Sequence, residues 1–96
     1  MLPNINASKL TVKMGKREKI IERLTNSPQN TTFADIRKLL EYEGFYLDRI
    51  TGSHHIFKYA ETTFVIPVHN NRVKVIYIRK VLEFIEQADT ELEEEQ

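Results

Sequence analysis

The chain has 96 residues, of which 41% are hydrophobic and 29% charged, and it contains no cysteine. That length holds one small domain with one modest core, and the balance is that of a folded chain rather than a disordered one. A disulfide framework and cysteine-based zinc sites are excluded, no apolar run approaches the roughly 20 residues of a membrane span, and the N-terminus lacks the apolar core of a secretory signal, so a cytoplasmic setting is expected.

The formal net charge of zero conceals an asymmetry. Residues 1–82 hold all 14 Lys and Arg but only 7 of the 14 acids, a balance of +7, whereas residues 83–96 hold the other 7 acids and no base. A basic domain with an acidic end suits a polyanionic partner, although a solvated surface with an acidic tail has the same composition.

Residues 1–13 carry no clear period and read as an N-terminal extension. The functional domain is expected over residues 14–88, followed by an acidic C-terminal tail over 89–96. Lys16 to Leu24 reads as a first helix with Ile20, Ile21 and Leu24 on one face, ended by Asn26-Ser27-Pro28. Thr32 with Asp35 three residues later resembles a capping box, and Phe33, Ile36, Leu39 and Leu40 recur at helical spacing. Gly44 suits the left-handed position that ends this second helix.

After Gly44 the period changes to two. A first strand is predicted with Phe45, Leu47 and Arg49 on one side and Tyr46, Asp48 and Ile50 on the other. Thr51-Gly52-Ser53 is a turn, His54 to Tyr59 a second strand and Thr63 to Val68 a third, with Phe64, Ile66 and Val68 on one face. Short links imply an antiparallel meander. His69-Asn70-Asn71-Arg72 is a polar loop, Ile78, Val81, Leu82 and Ile85 mark a final helix, and Glu91 to Gln96 reads as a disordered end. The fold class is therefore α+β in the order α-α-β-β-β-α, a three-stranded antiparallel sheet packed on helices with one face left open.

Adjacent residues of a strand point to opposite faces, so His54 and His55 are separated by the pleat. His55 shares its face with Phe57 and Tyr59, which places it inward. His54 shares its face with Ile56 and Lys58, which places it outward beside a lysine. An outward imidazole suits RNA cleavage, which needs a base for the ribose 2′-OH or an acid for the leaving 5′-oxygen, with cations where the phosphate becomes more anionic. An ordinary surface histidine is the competing reading, and most strand histidines do no chemistry. Arg72 and Lys74 form a second basic cluster able to contact phosphate, or a plain strand-to-helix loop. Joint metal ligation by His54 and His55 is disfavoured by their opposite directions, and no carboxylate stands at ligand spacing, so no metal and no cofactor are expected.

The run Gly44-Phe45, then Arg49-Ile50-Thr51-Gly52-Ser53-His54-His55-Ile56-Phe57-Lys58, resembles the first half of HicA toxins: an apolar helix, a Gly-aromatic pair and a Gly-Ser-His turn entering a strand. Ile66-Pro67-Val68-His69, followed by Val73-Lys74, resembles that family's second signature, a strand ending in Pro-x-His before the last helix. The resemblance covers about residues 15–86. It implies a double-stranded-RNA-binding-domain-like fold, an mRNA-cleaving endoribonuclease and a HicB-type antitoxin partner. It also implies a catalytic histidine in the Gly-Ser-His turn, which is His54, with His55 second. Gly52, Ser53, Lys58, Arg72 and Lys74 would then contact RNA. Where the family often has a Pro-Gly-Thr-Leu-like cap before the last helix, this chain has Val75-Ile76-Tyr77-Ile78. The residues alone also admit a non-catalytic RNA-binding module or a protein-interaction domain.

Overall fold

Helix α1 (Lys16–Asn26) buries Ile20 and Leu24, and Pro28, which cannot extend a helical hydrogen-bond ladder, opens a short 3₁₀ turn at Pro28–Asn30. The computed structural model describes residues 15–94, with side chains described through Glu91. The expected extension over 1–13 and its junction at Met14 lie outside the described residues.

Helix α2 (Phe33–Tyr42) begins with the expected capping box. The Asp35 N–H donates to the Thr32 hydroxyl and the Thr32 N–H donates to the Asp35 carboxylate, both at 3.3 Å, so two otherwise orphaned donors are satisfied reciprocally. The helix ends at Gly44, whose φ of +98° is costly for any residue with a Cβ. The Phe45 N–H reaches the Leu40 carbonyl at 2.9 Å and the Gly44 N–H reaches that of Glu41 at 3.0 Å, the paired bonds of a Schellman motif. A Cβ on Gly44 would also stand 3.0 Å from the Tyr59 ring, so packing reinforces the backbone requirement.

Three strands follow as an antiparallel meander: β1 (Tyr46–Thr51), β2 (His54–Tyr59) in the centre and β3 (Thr62–Pro67). Two-residue turns join them. Gly52-Ser53 has positive φ (+60°) at its first position only, the pattern of a type II′ hairpin turn. Ala60 takes φ +52° at the corresponding place in the second turn.

The face of β2 that carries Phe57, which is fully buried, meets the helices. Ile36, Leu39 and Leu40 of α2, Ile66 of β3 and Val81 of α3 (Val75–Glu94) close around it, and α1 packs on α2 and α3. Each fully buried side chain of this size contributes about 1.5–3 kcal/mol. Phe45, Phe64 and Phe84 add an aromatic cluster with ring centroids 5.4–5.6 Å apart, suited to edge-on contact. Arg17 of α1 hydrogen-bonds Glu43 after α2 and Asp89 of α3, so one guanidinium ties three helices. Those carboxylates, Glu43 foremost, raise its pKa above the ordinary arginine value and keep it charged.

The class and element order are as the sequence predicts, with three local differences. Pairing passes from Leu47↔Phe57 to Arg49↔Ile56, so Asp48 is the extra residue of a β-bulge. Arg49 therefore leaves the side of Leu47 for the open face, and Ile50, paired with His55, takes the helix-facing side. Helix α3 starts at Val75, before the apolar residues that mark its buried face. The β-branched run Val75-Ile76 hides this in the sequence, and burial of Val73 and Ile78 overrides the propensity. The same helix continues to Glu94, so Glu91 to Glu94 are helical rather than a disordered end.

Candidate functional site

The register that buries Phe57 turns His55 inward and His54 outward, as the alternation predicts. His54 is exposed at the first position of β2, flanked across the sheet by Thr51 and Pro67. Among the described residues, no side-chain hydrogen bond holds its ring. His55 is half-buried and anchored twice. Its Nδ1 lies 3.1 Å from the Ser53 carbonyl and its ring centroid 4.4 Å from that of Phe33. A carbonyl only accepts, so that bond requires the proton on Nδ1 and leaves Nε2 the acceptor of the neutral ring. The same carbonyl accepts the Val68 N–H at 2.9 Å, which fastens the Gly52-Ser53 turn to the end of β3.

The segment after β3 is more ordered than a plain loop. His69 and Arg72 exchange backbone hydrogen bonds of 3.0 and 2.8 Å around Asn70 and Asn71, whose φ values are +51° and +64°. Two left-handed residues in succession make a type I′ turn, which asparagine tolerates better than other residues with a Cβ. This small hairpin docks on the start of α2: Thr32 bridges Arg72, and the Phe33 N–H donates to the Asn71 carbonyl at 3.0 Å.

The topology thus brings Gly52, Ser53, His54, His55, Arg72 and Lys74 to one end of the molecule. Here the β1–β2 turn, the end of β3 and the starts of α2 and α3 meet. Arg72 and Lys74 are exposed, and neither is in an ion pair among the described residues. Lys58 is not brought there. It lies four positions further along β2, about 13 Å away at strand spacing, and its Nζ is 3.7 Å from Asp48. The lysine expected beside His54 is therefore at the other end of the strand, with its charge offset by the bulged Asp48. Arg49 is paired with the same carboxylate at 2.5 Å.

A Cβ at Gly52 would meet nothing within 4 Å, so its φ alone calls for glycine, and Gly52 itself is exposed to solvent while Ser53 is half-buried. The site is an exposed end, not a pocket, which suits an extended polymer better than a small ligand. A cavity of about 730 Å³ between α1 and α3 contains none of these residues. Among the described residues, no group of three or more His, Asp or Glu side chains is placed to hold a metal ion, and no helix is long and apolar enough to cross a membrane.

Sequence reasoning missed three participants. Asn70-Asn71 carried a usable signal, since two residues tolerant of left-handed φ directly follow a strand. Phe33 carried none, because its contact with His55 spans 22 positions. The Ser53 carbonyl is backbone and leaves no trace in residue identity.

Comparison with known proteins gives one positive result. The family model described as HicA toxin of bacterial toxin–antitoxin matches residues 33–89, from the first residue of α2 to the acidic part of α3. No curated protein and no solved structure matches the chain.

Proposed function

Because the chain belongs to the HicA toxin family of bacterial toxin–antitoxin systems, we propose that this toxin is an endoribonuclease that cleaves mRNA with His54 as its catalytic histidine. One observation carries the assignment: an exposed imidazole sits on the Gly52-Ser53 turn, at the same end as two cations, Arg72 and Lys74, that have no acidic partner among the described residues. The imidazole removes the proton from a ribose 2′-OH or delivers one to the departing 5′-oxygen. The 2′-oxygen attacks phosphorus as the 5′-oxygen leaves, and Arg72 and Lys74 offset the added negative charge on the phosphate. The exposed Gly52 lets the RNA backbone approach the turn, with the half-buried Ser53 at its edge. Lys58 is outside this scheme. The reaction belongs in the cytoplasm, where mRNA is, and a HicB-type antitoxin is the partner the family implies.

Incubation of purified protein with RNA tests the proposal. Cleavage is expected, and His54→Ala should slow it by about 100-fold or more, the usual worth of a general acid or base. Full activity in His54→Ala would overturn the residue assignment. Salt-dependent RNA binding without cleavage would replace the enzyme with a binding module.

A further inference from the structure

His55 stands next to the proposed catalyst but faces the other way. Its ring lies against Phe33 on the helix side of the sheet, with Ile50 and Ile66 as its cross-strand neighbours. A group that exchanged protons with a substrate on the exposed turn would need to face it. His55 instead directs Nδ1 at a backbone carbonyl of the turn itself, the carbonyl of the residue that precedes His54.

The contacts continue beyond that bond. Arg72 belongs to the Asn70-Asn71 hairpin, the Asn71 carbonyl accepts the Phe33 N–H, the Phe33 ring touches the His55 ring, and His55 donates to the Ser53 carbonyl. The segment that presents the phosphate-facing cations and the turn that presents His54 are therefore joined twice, through the Val68 N–H that precedes the hairpin and, by way of Phe33, through one imidazole. Without it, the turn keeps only the Val68 N–H bond to β3 at this carbonyl and has no tie to α2 through Phe33.

We infer that His55 is a positioning residue, which holds the His54 turn in register with the Arg72 loop through its Nδ1–H bond to Ser53 and takes no part in proton transfer. This rests on the endoribonuclease reading above. The relevant atom can be isolated chemically. The side-chain N–H of asparagine falls close to where imidazole Nδ1 does, whereas that of glutamine falls close to Nε2.

The test compares His55→Asn with His55→Gln in RNA cleavage, with the thermal midpoint measured for both. Asparagine is expected to keep kcat within about 3-fold of the parent and to leave the pH profile unchanged. Glutamine should lower kcat by about 10-fold or more with little change in KM, as a misplaced catalytic group does. Equal loss in both variants, with one limb of the pH profile gone, would show that His55 transfers protons. Equal activity in both would show that the bond does nothing. A readout free of catalysis separates this inference from the enzyme assignment. NMR relaxation of the Ser53 and His54 amides should report a mobile turn in His55→Gln and a rigid one in the parent and His55→Asn, whether or not RNA is cut. A turn equally rigid in all three overturns the positioning role. Phe33→Leu, which keeps apolar bulk but removes the ring, should loosen the same amides; if they stay rigid, the link through Phe33 is refuted.

Discussion

Gly52 at one end of the sheet and Ala60 at the other occupy the same place in turns of the same length, with φ of +60° and +52°. The first is relaxed in this conformation. The second costs about 1 kcal/mol, because a Cβ crowds the following carbonyl in the left-handed region. The charges differ in the same sense. Near Gly52, Arg72 and Lys74 have no acidic partner among the described residues, whereas on the open face toward the Ala60 end Lys58 and Arg49 share Asp48. Backbone strain is often a pointer to function, but of the two sheet turns the strained one is remote from the proposed site and the relaxed one lies at it.

The contrast between the ends can be broken most directly by activity. His54→Ala should abolish nearly all RNA cleavage, about 100-fold or more, while Lys58→Ala should change it by less than about 3-fold. A large effect at Lys58 would mean that the open face, and not the turn end, engages the scissile phosphate. A smaller effect concerns binding. Arg72→Ala and Lys74→Ala should each weaken RNA affinity and reduce the slope of log affinity against log salt by about 1, and Lys58→Ala should leave that slope unchanged. The smallest effect is on stability and has opposite signs at the two turns. Gly52→Ala should lower stability by about 1 kcal/mol and Ala60→Gly should raise it by about 0.5 kcal/mol, both read from denaturant midpoints. Equal signs would mean that the turns differ in geometry more than their φ values indicate.

Much of this was legible beforehand where a single local cause fixes the outcome. Thr32 and Asp35 announce a capping box because two side chains and two amides suffice to make it. Gly44 marks a helix end because few other residues adopt its φ. The pleat separates His54 from His55 by alternation alone. The bulge at Asp48 was not legible: no glycine or proline signals it, and the extra residue lies between the core-packed Leu47 and an exposed Ile50. Its consequence reaches the site, since the alternation that failed at Arg49 also hid the pairing of Lys58 with Asp48. The start of α3 was obscured because Val75-Ile76 has strand-like composition and only burial of the following turn makes it helical. The approach of Phe33 to His55 depends on how α2 lies across the sheet, which local pattern does not encode.

The Ser53 carbonyl receives two hydrogen bonds, from Val68 and from the His55 ring. Every residue has such a carbonyl, so no substitution at position 53 deletes it. Alanine scanning would find Ser53 tolerant and pass over the joint, and its importance would surface only at the donors. Replacing the Ser53–His54 amide with an ester, which weakens this acceptor and also removes the His54 N–H, would expose a part of the proposed site to which genetics is blind.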